Sequence, residues 1–305
     1  MLANSPAHPA AATPIRGAAC AVLRRVDFRG KGRLRPLLRV PTSGRRVVRY
    51  PSGLLLQLDL SERHQQDLFF GLFERRELRT LQAVMETGGD MVDVGAHIGM
   101  FSLTAARAAA VGSRVLALEP NPRAREQLDA NVLLNGCDNV VVLEMAASDE
   151  SGPRLLTVPA TPDPSWSSLE QRTFEPGGTL TVETTTIDAE VEARGLRPSF
   201  VKIDVEGHEL HVLAGAERTL ESQRPLVLCE VSGATALPAA AFFHRIGYAP
   251  VRVLQRSVED GVGPLAGIFN VFFVPNDQSL SVIQPARRRP VVMGPPGFEP
   301  GTKGL

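Results

Sequence analysis

The stretch Met91-Val92-Asp93-Val94-Gly95-Ala96-His97-Ile98-Gly99-Met100 decides the fold. A short apolar strand pattern over 91–95 runs into a turn bounded by Gly95 and Gly99, and helical patterning follows over 100–110. Glycines at such a turn let backbone amides approach a ligand closely and aim the start of the helix at it. The same two letters also serve plain helix packing, so the chain on either side carries the weight.

Downstream the alternation continues with strand 114–118, helix 123–134 and strand 140–145. It resumes with strand 200–204, helix 209–220, strand 226–231, helix 239–246 and strands near 251–254 and 271–274. Strand and helix in strict alternation predict an α/β chain, a Rossmann-like, doubly wound sheet of about seven strands, mostly parallel. Upstream, 47–50 and 54–60 read as two strands around Pro51-Ser52-Gly53, and 74–86 reads as a helix with Leu78, Leu81 and Met85 on one face. These form an N-terminal strand/helix extension of the sheet. Residues 150–199 break the alternation with strand-like 155–158 and 179–187, which predicts a hairpin insertion overhanging the carboxyl end of the sheet, where open α/β sheets bind ligands.

Composition removes several function classes. The 305 residues carry 33 basic and 33 acidic side chains, so no overall field draws in nucleic acid or anionic lipid. No apolar run reaches the roughly 18 residues of a membrane span, and Pro6, Pro9 and Pro14 interrupt the stretch a signal peptide would need. Cys20, Cys137 and Cys229 stand far apart, without metal-like spacing, which fits a reducing, cytoplasmic setting and no cysteine-based metal site. Residues 1–45 combine Ala, Pro and Gly with a basic run from Arg24 to Arg39 and are read as a flexible tail. The fold is expected over 46–277, with 278–305 a disordered tail. In that tail, Gly297-Phe298-Glu299-Pro300 back-translates to codons compatible with a transfer-RNA T-arm.

Two further segments carry chemistry. Glu119 sits at the carboxyl end of the second strand, where a carboxylate can accept both hydroxyl protons of a ribose; the bland alternative, a helix cap before Pro122, is one that Asn121 can provide instead. Dinucleotide oxidoreductases share this acid, but their loop is Gly-x-Gly-x-x-Gly, a spacing absent here. The second segment, Val201 to Leu210, brings Lys202, Asp204, Glu206 and His208 to the carboxyl end of one strand, and alternation sends Lys202, Asp204 and Glu206 to one side. Glu206 and Glu209 have a capping explanation at a helix start, whereas Asp204 within an apolar strand needs partners or a task.

In order and spacing these segments resemble the FkbM-type methyltransferases, a branch of the class I S-adenosylmethionine-dependent fold. The carriers are Gly71-Leu72-Phe73-Glu74, Val92 to Gly99, Leu118-Glu119-Pro120-Asn121, Ala146-Ala147-Ser148-Asp149, Thr185-Thr186-Ile187-Asp188, Val201 to Leu210 and Leu213-Ala214-Gly215-Ala216, spread over 46–275. His97 departs from the pattern at a position where the family usually has Asn, and residues 1–45 have no family counterpart. The resemblance implies methyl transfer from S-adenosylmethionine to a hydroxyl of a sugar or secondary-metabolite acceptor. It places Asp93, Gly95, His97 and Gly99 around the methionine part, Glu119 on the ribose, and Ala147 and Ser148 at the adenine edge. Asp204, Glu206 and His208 are then the candidate bases, with Lys202 stabilising a developing alkoxide. Trp166, Ser167 and Ser168 in the insertion are the candidate acceptor contacts. A divalent ion on Asp204, Glu206 and His208 is the less favoured variant, and no metal is expected. The rival readings are a nicotinamide-dependent oxidoreductase and a non-catalytic nucleotide-binding module.

Overall fold

The structure, a computed structural model, describes residues 20–25, 31–34, 42–160, 167–170, 176–253, 258–260, 268–278 and 283. Residues 20–25 and 31–34, which composition places in a tail, pack on the body. Cys20 is buried beside Phe70, Arg24 donates from its guanidinium to the Phe69 carbonyl at 2.6 Å, and Leu23 and Leu34 join the same apolar cluster. Apolar Leu23 and Leu34 and the long Arg24 side chain anchor a stretch whose composition looks unstructured.

The hairpin β1 (Arg45–Arg49) and β2 (Leu55–Asp59) is antiparallel and forms its own two-stranded sheet. Leu56 and Leu58 of β2 are fully buried at alternate positions, which fixes one face inward. Two helices follow, α1 (Arg63–Phe70) and α2 (Arg75–Met85). The first of these was absent from the sequence reading, because Arg63 to Asp67 is polar and only Leu68, Phe69 and Phe70 signal an apolar face. It forms because Gln65 is buried and takes the Asp59 amide at 2.6 Å, while Gly71, in the left-handed region at φ 73°, closes it with bonds to the Asp67 and Leu68 carbonyls.

The central sheet begins with β3 (Asp90–Val94), buried at every residue. Then come α3 (Met100–Ala108), β4 (Val115–Leu118), α4 (Pro122–Asn135) and β5 (Val140–Leu143). Asn121 caps α4 by accepting the Arg123 amide at 3.0 Å, which leaves Glu119 free of that duty. Asn131, Asn135 and Gln127 on α4 bond the Gln57 and Leu55 backbone, so side-chain amides cover the open edge of β2.

The insertion contributes β7 (Gly152–Pro159) and β8 (Pro176–Thr185), which join β6 (Met145–Ala147) just before it in a three-stranded sheet of order β6-β8-β7. Its hairpin is the predicted one. The segment 179–187, predicted as strand throughout, instead ends at Thr185. Thr186 accepts the Ala189 amide at 3.1 Å and starts α5 (Ile187–Arg194), with Asp188 and Glu190 in the first turn.

The chain returns to the sheet with β9 (Pro198–Ile203), α6 (Glu209–Ala214), α7 (Glu217–Gln223), β10 (Leu226–Ser232), α8 (Ala236–Arg245), β11 (Tyr248–Val253), β12 (Val258–Asp260) and β13 (Ile268–Pro275). The one helix predicted over 209–220 is two. A Cβ on Gly215 would lie 2.0 Å from the Ser148 carbonyl oxygen, so the backbone meets the end of β6 and the helix breaks there. Asp188 then accepts the Arg218 and Thr219 amides and caps α7.

The strand order is β12-β11-β13-β10-β9-β3-β4-β5. The predicted seven strands are present, and three-residue β12 adds a short eighth at the edge. Strands β10, β9, β3, β4 and β5 are parallel, and β13 is antiparallel to both β10 and β11. Because β4 and β9 flank β3 on opposite sides, the connections diverge at β3 and open a crevice over the carboxyl ends of β3 and β9. One face of the sheet packs Val92, Leu116, Val201 and Val227 against α5 to α8; the other packs Met91, Val115, Phe200 and Leu228 against α2 and α3. Each such buried side chain contributes about 1.5–3 kcal/mol of transfer free energy. No helix among the described residues is long and apolar enough to cross a membrane.

Candidate functional site

The turn after β3 is built on contact with two neighbouring strands. Gly95 adopts φ +74°, and a Cβ there would fall 1.9 Å from the Asp204 carbonyl oxygen. The Gly95 and Ala96 amides both donate to the Leu118 carbonyl, at 3.0 and 3.1 Å. His97 occupies the left-handed region at φ +50°, a conformation in which Asn, Asp and His are enriched among non-glycine residues. Its amide donates to Glu119 Oε2 at 2.8 Å, and the Asn121 amide donates to Oε1 at 2.9 Å. Each oxygen of Glu119 is thus fixed by one backbone bond and keeps a lone pair for a ligand. Burial raises the Glu119 carboxyl to about 7, against the pull of those two amides and of Lys202. Gly99 plays a different part from the one expected. A Cβ there would sit 2.4 Å from Leu128 Cδ1, so it lets α3 pack on α4 and lies behind the cavity wall.

Alternation along the strands creates the second part of the site. The face that buries Met91, Phe200 and Leu228 carries Asp93, Lys202, Asp204 and Glu230 further toward the carboxyl ends. The buried Lys202 ammonium lies 2.9 Å from Asp204 Oδ2, 3.9 Å from Asp93 Oδ1 and 5.1 Å from the centre of the Phe101 ring. Burial would lower its pKa, but Asp204, Asp93 and Glu74 together hold it above its ordinary value. Burial works to raise Asp204, yet Lys202 keeps that carboxyl below its ordinary range. Asp93 is raised by burial, with Lys202 and the Ser102 hydroxyl, 2.5 Å away, opposing the shift; its Oδ1 has no hydrogen-bond partner among the described residues. Asp93 stands behind the cavity wall and supports Lys202 from below.

Two acids join the cluster to which the sequence assigns no site role, although Glu74 lies in one of the segments that carry the family resemblance. Glu230, at the end of β10, is pushed up to about 10 by burial and by Asp204 and Glu206, and its carboxyl hydrogen-bonds Asp204. Glu74, just before α2, is raised to about 8 by burial and by Asp204, while its Oε1 accepts from Asn270 at 2.6 Å. Glu230 gave the same signal as Asp204, an acid in an apolar strand; Glu74 read as an ordinary helix-start residue. Near neutrality the cluster therefore holds ionised Asp204 and Lys202 beside two neutral carboxyls.

The third part is the insertion. Ser168 pairs with Thr157 through two backbone bonds, and its hydroxyl donates to the Glu206 carbonyl at 2.8 Å. The Asn121 amide group donates to Ser167 Oγ at 2.9 Å. The insertion therefore spans from the first half of the sheet to the second. Glu206 lies past the strand end at φ +53°, in a turn that separates it from the alternation placing Lys202 and Asp204 together. His208 is buried, with Nε2 at 3.0 Å from Ser148 Oγ and Nδ1 at 2.7 Å from Glu170 Oε1, and burial lowers its pKa. Both its ring nitrogens are engaged away from Asp204. Ala147 reaches the cavity, whereas the Ser148 side chain turns to His208. Trp166 lies outside the described residues.

These parts enclose a cavity of about 600 Å³. Gly95 to Ile98 and Glu119 form one wall, Lys202, Asp204, Glu206 and Glu230 another, Phe73, Met100 and Phe101 an apolar side, and Ser167 to Leu169 the roof.

Residues 93–248, a little over half of the chain, match the Methyltransferase FkbM domain. Among curated proteins, the hexuronic acid methyltransferase AglP of Haloferax volcanii is 31% identical over 150 residues, which is 49% of this chain and 59% of that protein. The matched region thus spans less than two thirds of the relative's length. Among solved structures, methyltransferase FkbM from Methylobacillus flagellatus KT aligns with a TM-score of 0.42 and 17% identity, covering 68% of this chain and 54% of the other. Precorrin-6y C5,15-methyltransferase from Geobacter metallireducens GS-15 aligns with a TM-score of 0.41 and 16% identity, covering 66% and 87%.

Proposed function

This chain belongs to the FkbM methyltransferase family, and from that premise we propose that it transfers the methyl group of S-adenosylmethionine to a hydroxyl of a carbohydrate or related small-molecule acceptor. The observation that carries the reading is the pairing of Glu119, whose two oxygens are each anchored by one backbone amide, with the Lys202–Asp204 pair across the same cavity. The residues fit a nucleoside. Gly95 brings the loop backbone against β9 where no side chain fits, and the cavity of about 600 Å³ has room for a nucleoside and a small acceptor. Glu119 would hold the ribose hydroxyls, Ala147 would border the adenine, and Gly95 to His97 would border the amino-acid end.

Bound S-adenosylmethionine supplies an electrophilic methyl group, and the protein orients the acceptor, excludes water and takes the acceptor proton. Asp204 is the base: it is ionised, opens onto the cavity with 32% of its side chain exposed, and is held in place by Lys202. Lys202 balances the charge that builds on the acceptor oxygen. The neutral Glu230 carboxyl donates to Asp204, and Glu206 stands beside it. The relative named for hexuronic acid supports a sugar as acceptor class.

The test is a calorimetric titration of the purified chain with S-adenosylmethionine, S-adenosylhomocysteine and NAD, followed by methyl-transfer assays on neutral sugars and uronic acids. Binding of the first two and not NAD, with a methyl ether formed on a sugar of one of these classes, is the expected result. Binding of NAD alone would move the chain to oxidoreductase chemistry.

A further inference from the structure

At the rim of the cavity, three side chains from two separate segments converge: His208 just before α6 with His211 on it, and Glu170 on the insertion. One donor atom from each lies within 4.8 Å of the others. The heavy-atom partners fix where the protons are. Ser148 Oγ lies 2.8 Å from Asp149 Oδ1, and a carboxylate only accepts, so the Ser148 proton points at Asp149. The Ser148 oxygen then accepts from His208 Nε2 at 3.0 Å, which leaves His208 Nδ1 with its lone pair. On the second ring, Asp149 Oδ2 at 3.1 Å takes the Nδ1 proton of His211 and leaves Nε2 bare. Both bare nitrogens face the same oxygen, Glu170 Oε1, at 2.7 and 3.9 Å. The two rings stack face to face, with centroids 4.5 Å apart and planes 14° apart.

A cation bound among these three atoms takes up their lone pairs as Glu170 shifts off its 2.7 Å contact with His208 Nδ1. We propose that Glu170, His208 and His211 bind one divalent transition-metal ion of the zinc type, which clasps the insertion onto the mouth of β9. Two imidazoles and a carboxylate select a borderline ion over calcium or magnesium, and three protein ligands leave a position for water. His211 and Glu170 are 46% and 41% exposed, so the ion has a path in. Ser148 and Asp149 hold the outer ring nitrogens, which is how ligating histidines are oriented. The ion takes no part in the methyl-transfer step above, and the inference stands independently of that reading. A single proton shared between His208 and Glu170 would fill the same gap, and the experiment separates the two.

The full chain, stripped with chelator and dialysed, is titrated with Zn²⁺ by calorimetry and with Co²⁺ by visible absorption, alongside His211→Leu and Glu170→Gln. The expected result is one ion per chain, a thermal midpoint raised by Zn²⁺ in the wild type, and affinity lowered at least about tenfold in both variants, with Asp149→Asn lower by about 10–100-fold. His211 is half exposed and its replacement leaves the core intact, so circular dichroism should show both variants folded. A wild-type chain that binds neither ion, or binding that survives either ligand substitution, would overturn the proposal and leave the shared proton as the occupant.

Discussion

Gly95 presses so closely on Asp204 that a Cβ on the first would fall 1.9 Å from the carbonyl oxygen of the second. One contact thus joins the loop beside Glu119 to the strand that carries Lys202 and Asp204. Gly95→Ala is expected to lose more than the about 1–3 kcal/mol that a left-handed non-glycine residue costs, because backbone must also move. Gly112, at φ +88° with nothing within 4 Å of its missing Cβ, supplies the control: Gly112→Ala should lose only about 1–2 kcal/mol. Urea unfolding of the two variants reads the difference, and equal losses would deny the contact any special role.

Glu119 sits near 7 in the free protein because burial disfavours its charge. In the proposed reading its charged form accepts two ribose hydroxyls, so S-adenosylmethionine affinity should rise with pH by up to about tenfold per unit below about pH 7 and level off above it. Glu119→Gln should bind more weakly at every pH and show no such slope. Calorimetric Kd values from about pH 6 to about pH 8 check this, and a slope that persists in the variant would move the titration to another group.

Asp204→Asn should lower kcat by about 10²–10⁴-fold while S-adenosylhomocysteine still binds, as removal of a general base requires. Lys202→Met should behave differently, leaving Asp93 and Asp204 without their cation. It should destabilise the fold by about 3–5 kcal/mol near neutral pH, and stability should recover as pH falls and the carboxyls take up protons. Full turnover in Asp204→Asn would remove it as the base.

Glu230 has a folded value near 10 against an ordinary 4.5, so folding favours its protonated form. Its stabilising contribution is complete below about pH 4.5 and is lost progressively as pH rises toward about 10. Glu230→Gln cannot ionise and keeps the hydrogen bond to Asp204. The wild type should therefore lose thermal stability relative to this variant between about pH 6 and about pH 9; parallel curves would show that Glu230 is not a neutral buried acid.

Ser168 ties the insertion to the Glu206 carbonyl at 2.8 Å. Ser168→Ala should raise the acceptor KM severalfold, about the effect of one lost hydrogen bond, and spare cofactor affinity. Equal changes in both would mean that the insertion supports the whole site rather than the acceptor end.

Much of this was legible in the chain. Alternation of strand and helix predicted the central, mostly parallel sheet, because parallel strands need crossover helices between them. Glu119 and the Lys202–Asp204 pair were legible because the carboxyl ends of parallel strands are where polar side chains in apolar runs find a use. Asn121 as the cap of α4 was read the same way, from local geometry alone. Helix α1 was not legible, because its burial depends on Gln65 finding Asp59 across a turn. The break in 209–220 was not either, since nothing local to Gly215 announces the Ser148 carbonyl.

What the sequence determined by itself was periodic and local: which segments become strands and helices, and which acids lie at strand ends. Only the tertiary structure decided which of those groups share a space. It placed Glu74 and Glu230 beside Asp204, turned Gly99 to helix packing, and drew Glu170 across to His208 and His211. Those relations join residues tens to more than a hundred positions apart, and they depend on how layers close over one another, which no local pattern encodes.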